Sequence, residues 1–240
     1  MEIIGKGAYG TVRLDRNRPD VAVKTIRYNQ GSLIEQTGTL AILSEQHPNL
    51  AKVYSIAVVG QDITITMKLY IGDVYNHIIK TQKYLSHEGT IRLEHQIGSA
   101  LEYLHNHDIL HGDVKPDNVL HDLEMNFYLT DFSISMNIQQ DKVTGPELLY
   151  SLYYRPPVLN YNNQIKGGLI LKKEYDYYAL FMSLCFVYEG FLIGPKENSL
   201  YEIVLSCWRF KQIRFKKLIN VTFKEVTYRN IYVKAFDVCF

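Results

Sequence analysis

The sequence predicts an α+β fold with two lobes, a small strand-rich lobe over residues 1–70 and a mainly α-helical lobe over residues 71–240. Before residue 70, β-prone residues form short runs in which apolar and polar side chains alternate, as in half-buried strands. Beyond it, apolar residues recur at helical spacing in residues 90–106, and an uncharged apolar run from Tyr177 to Tyr188 suits a buried helix. We expect both lobes to belong to a single domain.

The composition is that of a globular protein, and it excludes several classes of function. Of the 240 residues, 47% are hydrophobic and 21% are charged. Because the formal net charge is only +1, we expect no nucleic-acid partner and no binding to a membrane surface. The run from Tyr177 to Tyr188 is too short to span a bilayer. Three widely spaced cysteines (Cys185, Cys207 and Cys239) predict a reducing compartment without a disulfide framework or a zinc site.

A glycine-rich loop follows the first predicted strand. The pattern G-x-G-x-x-G occurs at residues 5–10, and its glycines let the backbone approach phosphate oxygens closely. In a dinucleotide-binding domain such a loop opens a helix, whereas here β-prone residues 11–14 follow it. After a polar turn, residues 21–24 (Val-Ala-Val-Lys) form another alternating run that ends in a lysine. The pattern therefore predicts a strand-based nucleotide clamp.

A helix and two further strands complete the predicted first lobe. The helix precedes His47-Pro48-Asn49, and glycines at 31 and 38 predict that it is short or poorly ordered. Residues 51–59 and 63–70 have the pattern of two strands joined by a polar turn.

The loop over residues 111–118 (His-Gly-Asp-Val-Lys-Pro-Asp-Asn) follows the predicted helix of residues 90–106 and concentrates chemistry in a short stretch. It brings together a carboxylate, a lysine and an amide at Asp113, Lys115 and Asn118. Phosphoryl transfer from a nucleotide to a hydroxyl needs a carboxylate to orient the hydroxyl, a cation to neutralise the moving group, and an oxygen ligand for Mg²⁺. The loop therefore predicts a phosphotransfer site.

Taken in order, these motifs resemble those of eukaryotic-type serine/threonine protein kinases. The resemblance extends from Ile4 to about Leu192, and it includes Asp131-Phe132-Ser133, which is similar to the metal-binding D-F-G motif of that family. It implies a two-lobed protein kinase-like fold with a trimmed carboxy-terminal end, ATP and Mg²⁺ as cofactors, and a serine or threonine hydroxyl of a protein as acceptor. The compact form is similar to kinases of large DNA viruses, which implies the cytoplasm or nucleus, including that of an infected host cell.

The resemblance also implies roles for individual residues. Asp113 would orient the acceptor hydroxyl, Lys115 would stabilise the transferring phosphoryl, and Lys24 would contact the α- and β-phosphates. The residues implied to bind the nucleotide lie in the glycine loop, the next two strands, the hinge and the cleft floor: Ile4, Gly5, Gly7, Tyr9, Gly10, Val12, Ala22, Lys24, Lys68, Tyr70 and Leu120.

The remaining implied roles concern the metal and the support of the loop. Asn118 and Asp131 would hold Mg²⁺. Ser151 would contact Asp113 and Lys115, and Asp176 would hold the catalytic-loop backbone through hydrogen bonds.

The glutamate that holds the strand lysine in this family has no counterpart at its usual place, which falls at Gly38 or Thr39. Glu35 lies one helical turn earlier on the face of Thr39, so we predict it as the substitute. Glu45 lies out of register. An ordinary surface position for Glu35 stays open.

Three positions depart from the family pattern. Gly112 replaces the arginine that pairs with a phosphate on the activation segment, which predicts activity that does not depend on such a phosphate, whatever happens at Thr144. Ser133 replaces a glycine whose backbone freedom it lacks, so we expect less movement of this motif. Val158 replaces a glutamate and predicts the loss of its ion pair.

The sequence leaves three functions open. The retained charges of Lys24, Asp113 and Asp131 favour an active protein kinase. The displaced helix glutamate, Ser133 and Val158 favour a pseudokinase, which would bind a nucleotide or a partner without turnover. A kinase-fold enzyme acting on small molecules is the third, and Lys115 argues against it.

Overall fold

The computed structural model describes residues 2–7, 10–28, 33–36, 38–138, 150–151, 153–156, 159 and 172–189. These residues form a strand-rich part followed by a mainly helical part, which confirms the predicted α+β, two-lobed fold. Seven positions discussed above lie outside the described residues: Tyr9, Gly31, Thr144, Val158, Leu192, Cys207 and Cys239.

The first lobe is built on a five-stranded antiparallel sheet in the order β1-β2-β3-β5-β4. The strands are β1 (Ile3–Lys6), β2 (Gly10–Leu14), β3 (Val21–Arg27), β4 (Val53–Val59) and β5 (Asp62–Lys68). Val12 of β2 lies directly opposite Lys24 of β3, and Ala22 is two residues before Lys24. Opposite partners and alternate residues point to the same side of a sheet. Val12, Ala22 and Lys24 therefore share one face.

The predicted helix of this lobe is divided in two. A four-residue helix, α1 (Leu33–Gln36), precedes α2 (Thr39–Gln46), and Gly38 between them has a φ of 75°. Glycine adopts this left-handed conformation without a steric penalty, so it changes the chain direction between the two helices. Glu35 on α1 is only 1% exposed, which excludes the ordinary surface position left open by the sequence.

Within its described residues, the second lobe has three helices, α3 (Val74–Thr81), α4 (His87–Asn106) and α5 (Glu174–Glu189), with a 3₁₀ turn at Pro116–Asn118. Helix α4 begins at Ser86, whose Oγ accepts a hydrogen bond from the N–H of Gly89 at 3.1 Å. The apolar residues at helical spacing in α4 are buried: Leu93, Ile97, Ala100, Leu101 and Leu104. Among the described helices, none is both long enough and apolar enough to cross a membrane.

Among the described residues, short strands lie directly before α3 and between α4 and α5. They are β6 (Gly72–Asp73), β7 (Ile109–Leu110), β8 (Val119–His121), β9 (Phe127–Leu129) and β10 (Met136–Asn137). β6, β8 and β9 form one small sheet, and β7 pairs with β10. These pairings fix both ends of the loop at residues 111–118, because β7 precedes it and β8 follows it.

Glu94 is a carboxylate on the buried face of α4. It is 1% exposed, and no group of the described residues donates a hydrogen bond to either of its carboxylate oxygens. Burial raises the pKa of Glu94 to about 7, since a charge is poorly solvated there.

We predict that Glu94 makes the fold less stable as the pH rises. At pH 4 the carboxyl is mostly protonated in the folded and the unfolded chain alike, so the fold holds no buried charge there. Above its raised pKa of about 7 the folded chain holds a buried charge, at a cost of about 2 kcal/mol after allowing for screening by solvent. Glu94→Gln should therefore raise the free energy of unfolding at pH 8 and change it little at pH 4, measured by urea denaturation.

The matched control for this prediction is Glu102→Gln, at an exposed position of the same helix. It should change the free energy of unfolding little at either pH. An equal effect of Glu94→Gln at pH 4 and pH 8 would contradict the assignment of the buried charge.

Candidate active site

Lys24 is the centre of a group of polar contacts from three separate parts of the chain. Its Nζ lies 2.6 Å from Oδ1 of Asp131 and 3.5 Å from Oε1 of Glu35, and it donates to Oγ of Ser133 at 3.0 Å. β3 carries Lys24 and α1 carries Glu35, while Asp131 comes two residues after β9. The structure thus brings the predicted substitute glutamate to the strand lysine and joins both to the D-F-G-like motif.

The charged groups in this cluster shift one another's pKa values to different extents. Burial lowers the pKa of Lys24, but the carboxylates of Asp131 and Glu35 outweigh it, so the net shift is upward. Burial also opposes ionisation of Asp131, yet Lys24 and the hydrogen bonds from Ser133 lower the pKa of Asp131 to about 2. Burial raises the pKa of Glu35 despite the nearby lysine. The short Lys24–Asp131 contact is therefore the dominant ion pair, and both of its members are charged at neutral pH.

Ser133 contacts both Lys24 and Asp131, although in the sequence it was only a departure from the D-F-G pattern. Its Oγ donates to Oδ1 of Asp131 at 2.6 Å, and its backbone N–H donates to the same oxygen at 3.3 Å. The left-handed residue of the motif is Asp131, with a φ of 63°, whereas Ser133 has no positive φ. Aspartate tolerates that region better than most residues. Serine thus costs no backbone strain in this conformation, and its hydroxyl adds a hydrogen bond that glycine could not make.

Asn118 and Asp131 lie at the same end of the small sheet. Asn118 directly precedes β8, Asp131 follows β9, and the N–H of Thr130 donates to the carbonyl of Asn118 at 3.0 Å. Nδ2 of Asn118 donates to the carbonyl of Asp113, which leaves its Oδ1 as an acceptor. Amide and carboxylate oxygens are the ligands that Mg²⁺ prefers, usually one or two together with substrate phosphates. The two residues fit such an ion.

The catalytic-loop aspartate is held by donors on both of its oxygens. Oδ1 of Asp113 accepts from the N–H of Ser151 at 3.0 Å and from its Oγ at 2.9 Å. Oδ2 accepts from Lys115 Nζ at 2.6 Å and from Asn118 Nδ2 at 3.1 Å. Lys115 Nζ also donates to Ser151 Oγ at 2.8 Å. The structure thus brings Asp113 and Lys115 together with Asn118, the implied metal ligand, and Ser151, the implied supporting residue.

Asp176 on α5 holds the backbone at the start of this loop through hydrogen bonds. It is fully buried, and its two oxygens accept from the backbone N–H groups of His111 at 2.8 Å and Gly112 at 3.0 Å. The hydroxyl of Tyr150 donates to it at 2.9 Å, and Nε2 of His105 lies 2.9 Å away. Burial raises the pKa of Asp176, but these contacts outweigh burial and the net shift is downward. Asp176 is therefore an ionised acceptor that fixes the start of the loop.

The glycine loop shows why its third glycine is required. A Cβ on Gly10 would lie 2.4 Å from the carbonyl oxygen of Thr25, far inside van der Waals contact. The N–H of Gly7 donates to the carbonyl of Gly10 at 2.9 Å, which holds these two glycines together. Ile4 and Gly5 lie on β1 beside this turn.

The hinge between the lobes leaves a backbone donor available. The N–H of Leu69 donates to Asp20 and that of Ile71 donates to His121, whereas within the described residues no acceptor meets the N–H of Tyr70. The side chain of Tyr70 is turned aside: its OH accepts from the N–H of Lys52 at 3.0 Å, and its ring lies 4.7 Å from that of Tyr128.

Lys68 and Leu120 complete the predicted nucleotide-binding residues. Nζ of Lys68 lies 5.4 Å from the centre of the Tyr70 ring, so this side chain packs on the hinge tyrosine. Leu120 is partly buried on β8.

We predict that the fold depends on Asp176. Asp176→Ala would leave the N–H groups of His111 and Gly112 and the hydroxyl of Tyr150 buried without their acceptor, at a cost of about 3 kcal/mol or more. Glu174→Ala, two residues earlier on the same helix, should cost much less. Urea denaturation of both variants measures the difference, and equal losses would contradict the role given to Asp176.

Comparison with known proteins agrees with this geometry. The chain matches the protein kinase domain family over residues 1–228. It is 27% identical over 220 residues to the SNF1-like protein kinase ssp2 of Schizosaccharomyces pombe, covering 86% of this chain and 36% of the relative. It is 30% identical over 199 residues to the carbon catabolite-derepressing protein kinase of Saccharomyces cerevisiae, covering 77% and 30%.

A bacterial relative is similar to the same degree. The serine/threonine-protein kinase PrkC of Bacillus subtilis is 29% identical over 189 residues, covering 75% of this chain and 28% of the relative. The chain spans about a third of the length of these three relatives. Because the family match extends over nearly the whole chain, the chain belongs to the protein kinase domain family.

Proposed function

We propose that residues 1–240 form a single catalytic domain, a serine/threonine protein kinase that transfers the γ-phosphoryl of Mg-ATP to a protein hydroxyl. Protein kinases generally use ATP and Mg²⁺ and act on proteins. The observation that carries the proposal is that two groups of side chains are in contact. Lys24 contacts Asp131, and Asp113 contacts Lys115, Asn118 and Ser151. These contacts supply the carboxylates, the cations and the amide oxygen that phosphoryl transfer needs, which supports the proposal.

The nucleotide would lie between the glycine loop and β8. Val12 and Ala22 share the sheet face of Lys24, so they would contact the adenine from above while Leu120 contacts it from below. The carbonyl of Lys68 and the N–H of Tyr70 would bind the adenine edge, and Lys24 would move its contact from Asp131 to the α- and β-phosphates. Asn118 and Asp131 would hold Mg²⁺, which when bound neutralises charge on the phosphates.

The chemical step would depend on Asp113. Its carboxylate would accept a hydrogen bond from the substrate hydroxyl, orient the oxygen toward the γ-phosphorus and take up the proton. As the new oxygen–phosphorus bond forms, the bond to the oxygen shared with the β-phosphate breaks, and ADP leaves. Lys115 lies 2.6 Å from Asp113, close enough to neutralise charge on the group in transfer. Ser151 would keep these two side chains in register.

The contacts of Ser133 favour turnover over a module that only binds nucleotide. A pseudokinase is the alternative that the altered motif suggests. The serine adds hydrogen bonds to Asp131 without displacing Lys24, so both charges remain in place.

We predict that Lys24→Met and Asp113→Asn each lower phosphate transfer at least about a hundredfold, since each removes a charge used in the transition state. The measurement is transfer of label from γ-labelled Mg-ATP to a generic basic protein. The control is Lys52→Met, a lysine of the same lobe that pairs with Glu45 at 2.6 Å. It should keep near-normal transfer.

The same experiment separates the alternatives. Transfer that survives Asp113→Asn would overturn the role of Asp113. If the wild type transfers nothing while Mg-ATP still raises its melting temperature, the chain is a nucleotide-binding pseudokinase.

We predict that Glu35→Gln lowers kcat about tenfold, because the loss of one carboxylate loosens Lys24 without removing its charge. The control is Glu45→Gln, which changes an exposed glutamate ten residues further along, on α2. Steady-state kinetics with the same substrate measures both. Equal kcat values for the two variants would show that Glu35 is not the partner that Lys24 uses in turnover.

A further inference from the structure

Tyr150 is a buried tyrosine immediately before Ser151. It is 1% exposed, and its backbone φ of 64° lies in the left-handed region, which residues other than glycine, asparagine and aspartate rarely adopt. Such a conformation costs about 1 kcal/mol or more and persists only where surrounding contacts hold it. The contacts of Tyr150 therefore need an explanation.

The first group of contacts ties Tyr150 to the start of the catalytic loop. Its backbone N–H donates to the carbonyl of Gly112 at 2.8 Å. Its hydroxyl donates to Oδ1 of Asp176, the same oxygen that accepts from the N–H of Gly112. Burial and the Asp176 carboxylate raise the pKa of Tyr150 well above its ordinary value, so the hydroxyl keeps the proton that it donates. Tyr150 is thus joined to Gly112 twice, once directly and once through Asp176.

The second group of contacts passes this constraint on to the catalytic carboxylate. Ser151 follows Tyr150 directly, and both its N–H and its Oγ donate to Oδ1 of Asp113. The carbonyl of Tyr150 accepts from Arg155 at 3.2 Å for Nε and 2.8 Å for Nη2. Because the backbone of Tyr150 is held on both sides, Ser151 cannot shift relative to Asp113 unless these bonds break.

We propose that Tyr150 is a positioning residue that fixes Ser151 against Asp113. It does so through its uncharged hydroxyl, which donates a hydrogen bond to the Asp176 carboxylate. Gly112 carries no side chain, so this position offers no cation to a phosphate. The tyrosine hydroxyl supplies instead a link between the end of the activation segment and the catalytic loop. The inference rests on the proposed function, and it adds that the site is assembled without phosphorylation.

The test compares Tyr150→Phe with Tyr103→Phe. Tyr150→Phe removes only the hydroxyl and keeps the buried ring. Tyr103→Phe is the matched control, since its hydroxyl also donates to a side chain, Gln46 at 2.8 Å, outside the contacts of the catalytic loop. Two readouts are taken on the full chain well below its melting temperature: amide hydrogen exchange in peptides covering residues 109–115 and 150–155, and the steady-state kinetics of transfer.

For Tyr150→Phe we expect amide exchange at least about fivefold faster in both peptides, because the N–H groups of Gly112 and Ser151 lose their support. We expect kcat to fall about tenfold while the KM for ATP stays within about twofold, since the nucleotide contacts are untouched. Exchange rates equal to those of Tyr103→Phe would overturn the proposal, whether or not the chain turns over. Faster exchange with an unchanged kcat would also overturn it, by showing that the anchor is structural only.

The independence from phosphate is tested on the wild type. Treatment with a phosphatase, checked by intact mass, should leave kcat within about twofold of the untreated value. A tenfold loss that rephosphorylation restores would overturn this part of the proposal. If the wild type shows no transfer that depends on Asp113, the proposed function fails, and the exchange measurement alone then decides whether Tyr150 anchors the loop.

Discussion

A lysine from one lobe and an aspartate from the other meet at 2.6 Å, and much of the site follows from the need to keep these two charges paired. The side chain of Lys24 is only 11% exposed, so an unpaired ammonium there would be expensive. Glu35 and Ser133 both contribute to the same group, one from the broken helix of the first lobe and one from the altered metal motif. The pair therefore joins the lobes, and under the proposed function it would keep a cation and a carboxylate in place for a nucleotide and its metal.

A second buried charge, the Asp176 carboxylate, holds the catalytic loop in place. Asp176 accepts four contacts, from His105, His111, Gly112 and Tyr150, and so holds residues that are far apart in sequence. Asp176 thus holds the backbone at the start of this loop, while Lys115, Asn118 and Ser151 hold the Asp113 carboxylate within it. This arrangement explains how a loop with few regular hydrogen bonds of its own can be ordered enough for chemistry.

The sequence predicted the lobes and the chemical groups, because Lys24, Asp113, Asn118 and Asp131 lie in short motifs whose spacing is set by local structure. Glu35 was predicted from the family resemblance, which places the usual glutamate at Gly38 or Thr39, together with helical register, although Gly38 breaks the helix. In the sequence, Ser133 looked like the loss of a motif glycine, and no motif indicated a role for Tyr150. Their partners lie 109 and 26 residues away, at Lys24 and Asp176, so only the folded chain shows them.

The central claim is that the Lys24–Asp131 pair marks a metal–nucleotide site. A crystal structure with Mn²⁺ in place of Mg²⁺ and a nonhydrolysable ATP analogue tests it most directly, because anomalous scattering locates the metal. We expect a metal peak between the Asp131 carboxylate and Oδ1 of Asn118, with Lys24 on the phosphates. A nucleotide bound without metal at these two residues, or with Lys24 still paired only to Asp131, would contradict the account.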